Sequence, residues 1–247
     1  MLIGLAAIAL LVGILIGSVG VGGILLIPAL ELLTPLSIQG AMATALFTFI
    51  FTGIVGTFAF QRRGSIDWKV TTPLCLGGAL FGLAGAWANA RLDAKVLALI
   101  LALLIVAAGA YTLVTGSARR LARFHDRPRL QQALLFAIGA ATGFGSGLTG
   151  VGGPALAVPM LVLCGFPALS AIGASQVIQI VASVSGSAAH LAHGSVDLRL
   201  AALLTVFEVL GVFVGVRLAH SVDARSLRRG VALLCVAVGT GLLMRLL

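Results

Sequence analysis

Apolar residues run along this chain almost without a break, and polar positions punctuate the runs instead of alternating with them. The first run extends from Leu2 to about Leu33, with Glu31 as its only charge. A helix crosses the hydrocarbon core in ~20 residues, so this run is too long for one crossing and too short for two with a loop. Gly17, Gly20, Gly22 and Gly23 fall in its middle, although glycine costs ~1 kcal/mol against alanine inside a helix. They divide the run into two half-helices, at roughly 2–17 and 22–33. Pro35 and Ser37 open a second segment at about 37–60, and Arg62, Arg63 and Lys69 surround a turn at Gly64. Further segments follow at about 70–90 and, after the turn Asp93-Ala94-Lys95, at about 96–115. The stretch Arg119–Arg129 is the most polar of the chain and reads as a linker. Beyond it the plan returns: an apolar run at 131–163 with a second glycine stretch, then segments at about 167–189, 198–219 and 227–244.

The return is a duplication. A shift of 130 residues lays Gly20-Val21-Gly22-Gly23 on Gly150-Val151-Gly152-Gly153, Gly64-Ser65-Ile66-Asp67 on Gly194-Ser195-Val196-Asp197, and Asp93-Ala94-Lys95 on Asp223-Ala224-Arg225. The chain therefore divides into repeat one (1–116), a basic cytoplasmic linker (117–130) and repeat two (131–247), all within a single membrane domain. Internal repeats of this kind mark secondary transporter folds. The glycine pairs Gly13/Gly17, Gly78/Gly82, Gly139/Gly143 and Gly211/Gly215 are spaced for close helix packing in lipid.

Composition removes the soluble alternatives. Hydrophobic residues make up 60% and charged residues 9%, with a mean hydropathy of +1.17, whereas soluble domains carry about 25% charged residues. A transmembrane barrel would alternate apolar and polar positions in short segments. The net charge of +9 sits in short loops, which is the pattern of the positive-inside rule and not of nucleic-acid binding. Charge also speaks to topology. If each glycine stretch turns back inside the membrane, each repeat crosses three times and the two are inverted. All Lys and Arg residues then collect on one side except Arg91, Lys95, Arg199 and Arg245, and both chain ends lie outside. A parallel arrangement divides them more evenly. The expected fold is thus an all-α integral membrane protein of two inverted repeats, each a glycine-rich pair of half-helices plus three membrane-spanning helices. No cleavable signal peptide is expected, because the N-terminus lacks a basic region. Cys75, Cys164 and Cys235 all lie in apolar segments and read as small packing residues.

The chemistry follows from the glycines. A helix that starts within the membrane points unpaired N–H groups and a partial positive charge at what precedes it, which makes an anion site. Such starts are expected near Val21–Gly23 and Val151–Gly153, with Pro154 suited to the first turn of the second. Gly22, Gly23, Gly152 and Gly153 are the candidate anion-binding positions. The next segment of each repeat carries polar side chains at helical spacing: Thr44, Thr48 and Thr52 in repeat one, and Gln176, Gln179, Ser183, Ser187 and His190 in repeat two. Of these, Thr44, Gln176 and Gln179, together with Ser175, are expected to orient the anion. Ser and Thr also bond their own helix backbone, so packing is the competing reading for the hydroxyls. Intramembrane carboxylates are candidates for coupling. Glu208 lies in the middle of an apolar segment, Glu31 near the end of its half-helix, and His190 could gate with pH. Asp67 and Asp197 sit before helices and read as caps; His193 lies near a membrane edge. Gly145-Ser146-Gly147 with His190 suggests a serine–histidine pair, but the duplication explains the glycines and places Ile16 at the aligned position. Phosphate-binding loops and HExxH or CxxC motifs are absent from the sequence, so no catalytic residue, metal site or cofactor is expected. A membrane-embedded assembly subunit without transport is the alternative from a different class.

The order of these motifs resembles the TauE/SafE family of sulfite exporters, also known as the toluenesulfonate uptake permease family. The residues that carry the resemblance are Gly20–Gly23, Ala43-Thr44-Ala45-Leu46 and Gly64–Asp67, and again Gly150–Gly153, Gly173-Ala174-Ser175-Gln176 and Gly194–Asp197. The family usually reads Gly-Thr-Ser where this chain has Ala-Thr-Ala and Gly-Ala-Ser. The resemblance implies a multi-pass protein of the bacterial cytoplasmic (inner) membrane that moves a small sulfur-containing anion such as sulfite or an organosulfonate, outward, by alternating access. Its partners would be that anion, the lipid bilayer, a coupling proton or cation and a second copy of the chain as a homodimer, with no nucleic acid.

Overall fold

Where the apolar runs stand, the computed structural model has helices. It describes residues 2–20, 22–114, 128–192 and 196–221, with helical positions between Leu233 and Met244. Val21, His193, Gly194, Ser195, the turn Asp223-Ala224-Arg225, Cys235 and most of the expected linker and last segment lie outside the described residues. Repeat one contains α1 (Leu2–Val19), α2 (Gly23–Leu33), α3 (Ile38–Gln61), α4 (Trp68–Asn89) and α5 (Ala94–Val114). Repeat two contains α6 (Pro128–Thr149), α7 (Gly153–Leu163), α8 (Ala168–Ala192) and α9 (Leu198–Ser221). The starts are set by local chemistry. Ser37 accepts the Gly40 N–H at the head of α3, Asp67 accepts the Lys69 N–H at the head of α4, and Asp197 accepts the N–H groups of Arg199 and Leu200 at the head of α9. These caps satisfy donors that the first turn leaves unpaired.

Two helices are longer than half a membrane crossing. At ~1.5 Å per residue, the 18 residues of α1 reach about 27 Å, and the 22 of α6 about 33 Å. Only the second member of each pair, 11 residues in α2 and in α7, is short enough to be a half-helix. The helix α6 also begins at Pro128, inside the stretch expected to be linker.

Among the described residues, four helices, α3, α4, α8 and α9, are long and apolar enough to cross a membrane. Their outward faces are themselves apolar: Leu76, Leu80, Leu83 and Trp87 on α4 and Val206, Leu210 and Phe213 on α9 are exposed. In water such faces would be a liability; in lipid they are the solvent-facing surface. The Arg91 guanidinium lies 3.2 Å over the Trp87 ring, a pairing suited to the membrane–water interface.

The interior is organised by exchange between the repeats. Helix α1 packs on α9, and α6 on α4, while α3 and α8 cross at the centre. Glycines let the backbones touch. Gly13 packs on the Glu208 carbonyl and Gly143 on the Gly78 carbonyl; Gly17 meets the Val212 carbonyl and Gly147 that of Gly82; Gly215 meets the Ile14 carbonyl and Gly85 that of Phe144. Each pair of contacts maps onto the other under the same shift of 130 residues. The duplication visible in the sequence is therefore a two-fold relation in space, in which the first helix of each repeat is held by the fourth helix of the other.

Candidate functional site

Each glycine stretch ends a long helix and starts a short one. Gly20 and Gly150 hold φ of +79° and +68°, where a Cβ would clash with its own backbone. Their N–H groups close α1 and α6 onto the Ile16 and Ser146 carbonyls at 3.2 and 2.8 Å. The chain then reverses. Gly22 lies against the Val12 carbonyl and the Ile16 N–H, which a continuing helix would have left some 9–15 Å behind. Helix α2 thus runs back along α1. The starts of both short helices are capped by glycine with no side-chain hydrogen bond, and Pro154 occupies the first turn of α7. The two caps differ: Gly22 is in the right-handed helical region, but Gly152 has φ 84° and ψ 160°, a conformation essentially confined to glycine.

The two turns meet. A Cβ on Gly23 would stand 2.6 Å from the Val151 carbonyl and 2.9 Å from the Phe49 ring, and one on Gly20 would touch Val158 and Pro154. They meet at mid-height, since Phe49 and Gln179 lie halfway along α3 and α8 and are themselves related by the shift of 130. Between them is a narrow cleft, closed too tightly to hold a water molecule and lined by Ile16, Gly20, Gly23, Phe49, Val151, Pro154, Ala155 and Gln179.

Of the sequence candidates, Gly23 and Gln179 line this cleft. Gly152 backs the Phe49 ring and Gly153 the Gln179 backbone, each about 3 Å from where a Cβ would stand. Gly22 braces the turn against α1. Gln179 donates to the Phe49 carbonyl at 2.9 Å and to the Thr52 hydroxyl at 2.8 Å, so its amide ties α8 to α3. Gln176 reaches the Ile16 carbonyl at 3.4 Å, with its own carbonyl oxygen unpartnered. Ser175 donates to Ile172 on its own helix. The Thr44 hydroxyl accepts the Asp197 N–H from the head of α9. These last two serve backbone and stand outside the cleft lining.

The coupling candidates separate. Glu31 is exposed at the far end of α2. His190 is buried, its Nε2 3.3 Å from the Gly147 carbonyl on α6. The Ser146 hydroxyl has no hydrogen-bond partner, so no serine–histidine pair forms. Glu208 is fully buried in the middle of α9, with neither carboxyl oxygen hydrogen-bonded. The Thr48 hydroxyl of α3 comes close enough to interact with it, but donates to the Ala45 carbonyl at 2.8 Å. Among the described residues no three His, Cys, Asp or Glu side chains gather as a metal site.

Sequence reasoning missed Phe49, Ile16 and Pro154 as cleft walls. The internal alignment held the signal for one of them, because Phe49 is the counterpart of Gln179. A buried Asn89, donating to the Leu148 carbonyl at 2.7 Å and bridging α4 to α6, was also not singled out.

The family model described as "Sulfite exporter TauE/SafE" matches residues 5–242 of the chain. The probable membrane transporter protein YunE of Bacillus subtilis is 25% identical over 263 residues, covering 96% of both chains. The probable membrane transporter protein YfcA of Escherichia coli K12 is 27% identical, covering 96% of this chain and 87% of its own. A similar relative, the probable membrane transporter protein MJ0441 of Methanocaldococcus jannaschii, is 23% identical over 91% of this chain and 88% of its own. No solved structure matches the chain significantly.

Proposed function

The chain belongs to the TauE/SafE sulfite exporter family, and from that premise we propose that it is a secondary transporter exporting a small sulfur-containing anion, sulfite or an organosulfonate, across a bacterial cytoplasmic membrane. The observation that carries this reading is the meeting of two helix-starting glycine turns at mid-membrane beside a buried glutamine. N–H groups at Gly22, Gly23, Gly152 and Gly153 would face the anion's oxygens, with the partial positive charge of two helix starts behind them. Gln179 would turn its amide from the Phe49 carbonyl toward the anion when the cleft opens. Thr44, Ser175 and Gln176 hold the surrounding backbone. The reversal of α2 along α1 supports a re-entrant pair in each repeat, hence inverted repeats, and alternating access by rocking of one repeat on the other.

The test is flux of radiolabelled sulfite and of a sulfonate into proteoliposomes that contain the purified protein. Replacing Gln179 by Leu removes a hydrogen bond to a charged group, worth ~1.5–3 kcal/mol. Flux is therefore expected to fall roughly ten- to a hundredfold, with the elution profile of the folded protein unchanged. Wild-type vesicles that move neither anion, or equal flux in Gln179→Leu, refute this assignment and leave the assembly-subunit reading.

A further inference from the structure

Glu208 is the charged residue that the fold least accounts for. It stands halfway along α9, and its backbone is covered by Gly13 of α1. Among the described residues, the elements packed around it offer no counter-charge. Helices α1 and α3, the two that α9 chiefly contacts, contain no Asp, Glu, Lys, Arg or His at all. On α9 itself Arg199 and Arg217 are each nine residues away, about 13 Å along the axis, and His220 is farther still. Arg63 approaches α9 only at the Val216 carbonyl, two turns from Glu208. An isolated carboxylate charge in such a place is heavily penalised, whereas a protonated carboxyl is neutral.

Packing alone does not ask for this residue. The two-fold relation maps Glu208 onto Gly78 of α4 and Thr48 onto Ile178 of α8, and in that half of the molecule the Ile178 side chain lies against Gly78. The fold closes there with hydrocarbon. In the other half the same junction holds a carboxyl and a hydroxyl. The junction adjoins the cleft: Thr48 precedes Phe49, and Gly13 lies one turn before Ile16, both cleft-lining residues.

We infer that Glu208 is the site at which a proton is taken up and released as the carrier changes conformation. It holds the proton while the α1–α9 seam is closed and yields it to water when the seam parts: the carboxyl O–H breaks, the proton goes to water and the carboxylate remains, to be reprotonated from the other side. This inference rests on the transport reading but is tested apart from it. Infrared difference spectra of the purified wild-type protein between acid and alkaline pH should contain a protonated-carboxyl band that is missing in Glu208→Gln. In proteoliposomes, a gradient of two pH units should drive up to about a 100-fold accumulation of sulfite at one proton per turnover. Glu208→Gln, which keeps the protonated shape, should retain sulfite exchange at equal pH and show no accumulation. An unchanged infrared band in Glu208→Gln, accumulation equal to wild type, or loss of exchange in a folded Glu208→Gln each overturns the inference. Wild-type vesicles that exchange no sulfur anion refute the transport reading instead, and the infrared band then still decides where the proton binds.

Discussion

Single residues carry most of the chemistry here, and they do so through what they lack. Gly152 has no side chain to collide with the Phe49 ring 2.9 Å away, and its φ of 84° with ψ of 160° is costly for any other residue. Gly152→Ala is expected to destabilise the protein by ~1–3 kcal/mol from backbone strain and more from the clash, read as a lowered Tm in detergent. The aligned Gly22→Ala keeps a permitted φ, and its penalty comes from contact with α1 alone. A Tm for Gly152→Ala equal to wild type would contradict the strained turn. Gln179 was legible in the sequence, because an amide at helical spacing in an apolar run demands a reason. Phe49 was not, because a phenylalanine in a membrane helix looks the same whether it faces lipid or a cleft. Only the crossing of α3 and α8 distinguishes the two.

Elements were legible wherever a residue marks their ends. The Asp67 and Asp197 caps, the Gly20 and Gly150 turns and Pro154 all stand where the sequence reading put them, and the spans agree to within a few residues. The start of α6 at Pro128 was not legible, since its first turn carries Arg129 and reads as part of the basic linker. Partner choice was equally hidden. A stripe of small residues announces that a helix is approached closely without saying by which other helix. In the structure Gly13 and Gly17 choose α9. Gly13→Leu would drive a side chain into the Glu208 carbonyl and should prevent folding, seen as aggregation on size-exclusion. Gly4→Leu, on the same helix but with nothing within 4 Å, should elute as wild type. Equal behaviour of the two variants would mean that the α1–α9 seam is not needed.

At the scale of the whole molecule the two-fold exchange between the repeats dominates. If the axis lies in the membrane plane, as the loop charges favour, the turn after α3 and the turn before α9 open on opposite sides. In a chain with Cys75, Cys164 and Cys235 replaced, Arg62→Cys and Arg199→Cys should then react with an impermeant maleimide from opposite faces of oriented vesicles. Labelling from one face would mean parallel repeats. The exchange also sets a schedule for synthesis. Gly143 finds Gly78 after about 65 residues of further chain, but Gly13 must wait for Glu208, almost 200 residues later. At ribosomal speeds of ~5–20 residues per second, α1 stays without its partner for roughly 10–40 s. The interval in which insertion factors and proteases meet an unfinished molecule is therefore set by the distance between its first helix and its ninth, and a nascent chain truncated before α9 should be a substrate for quality control however many helices it already has.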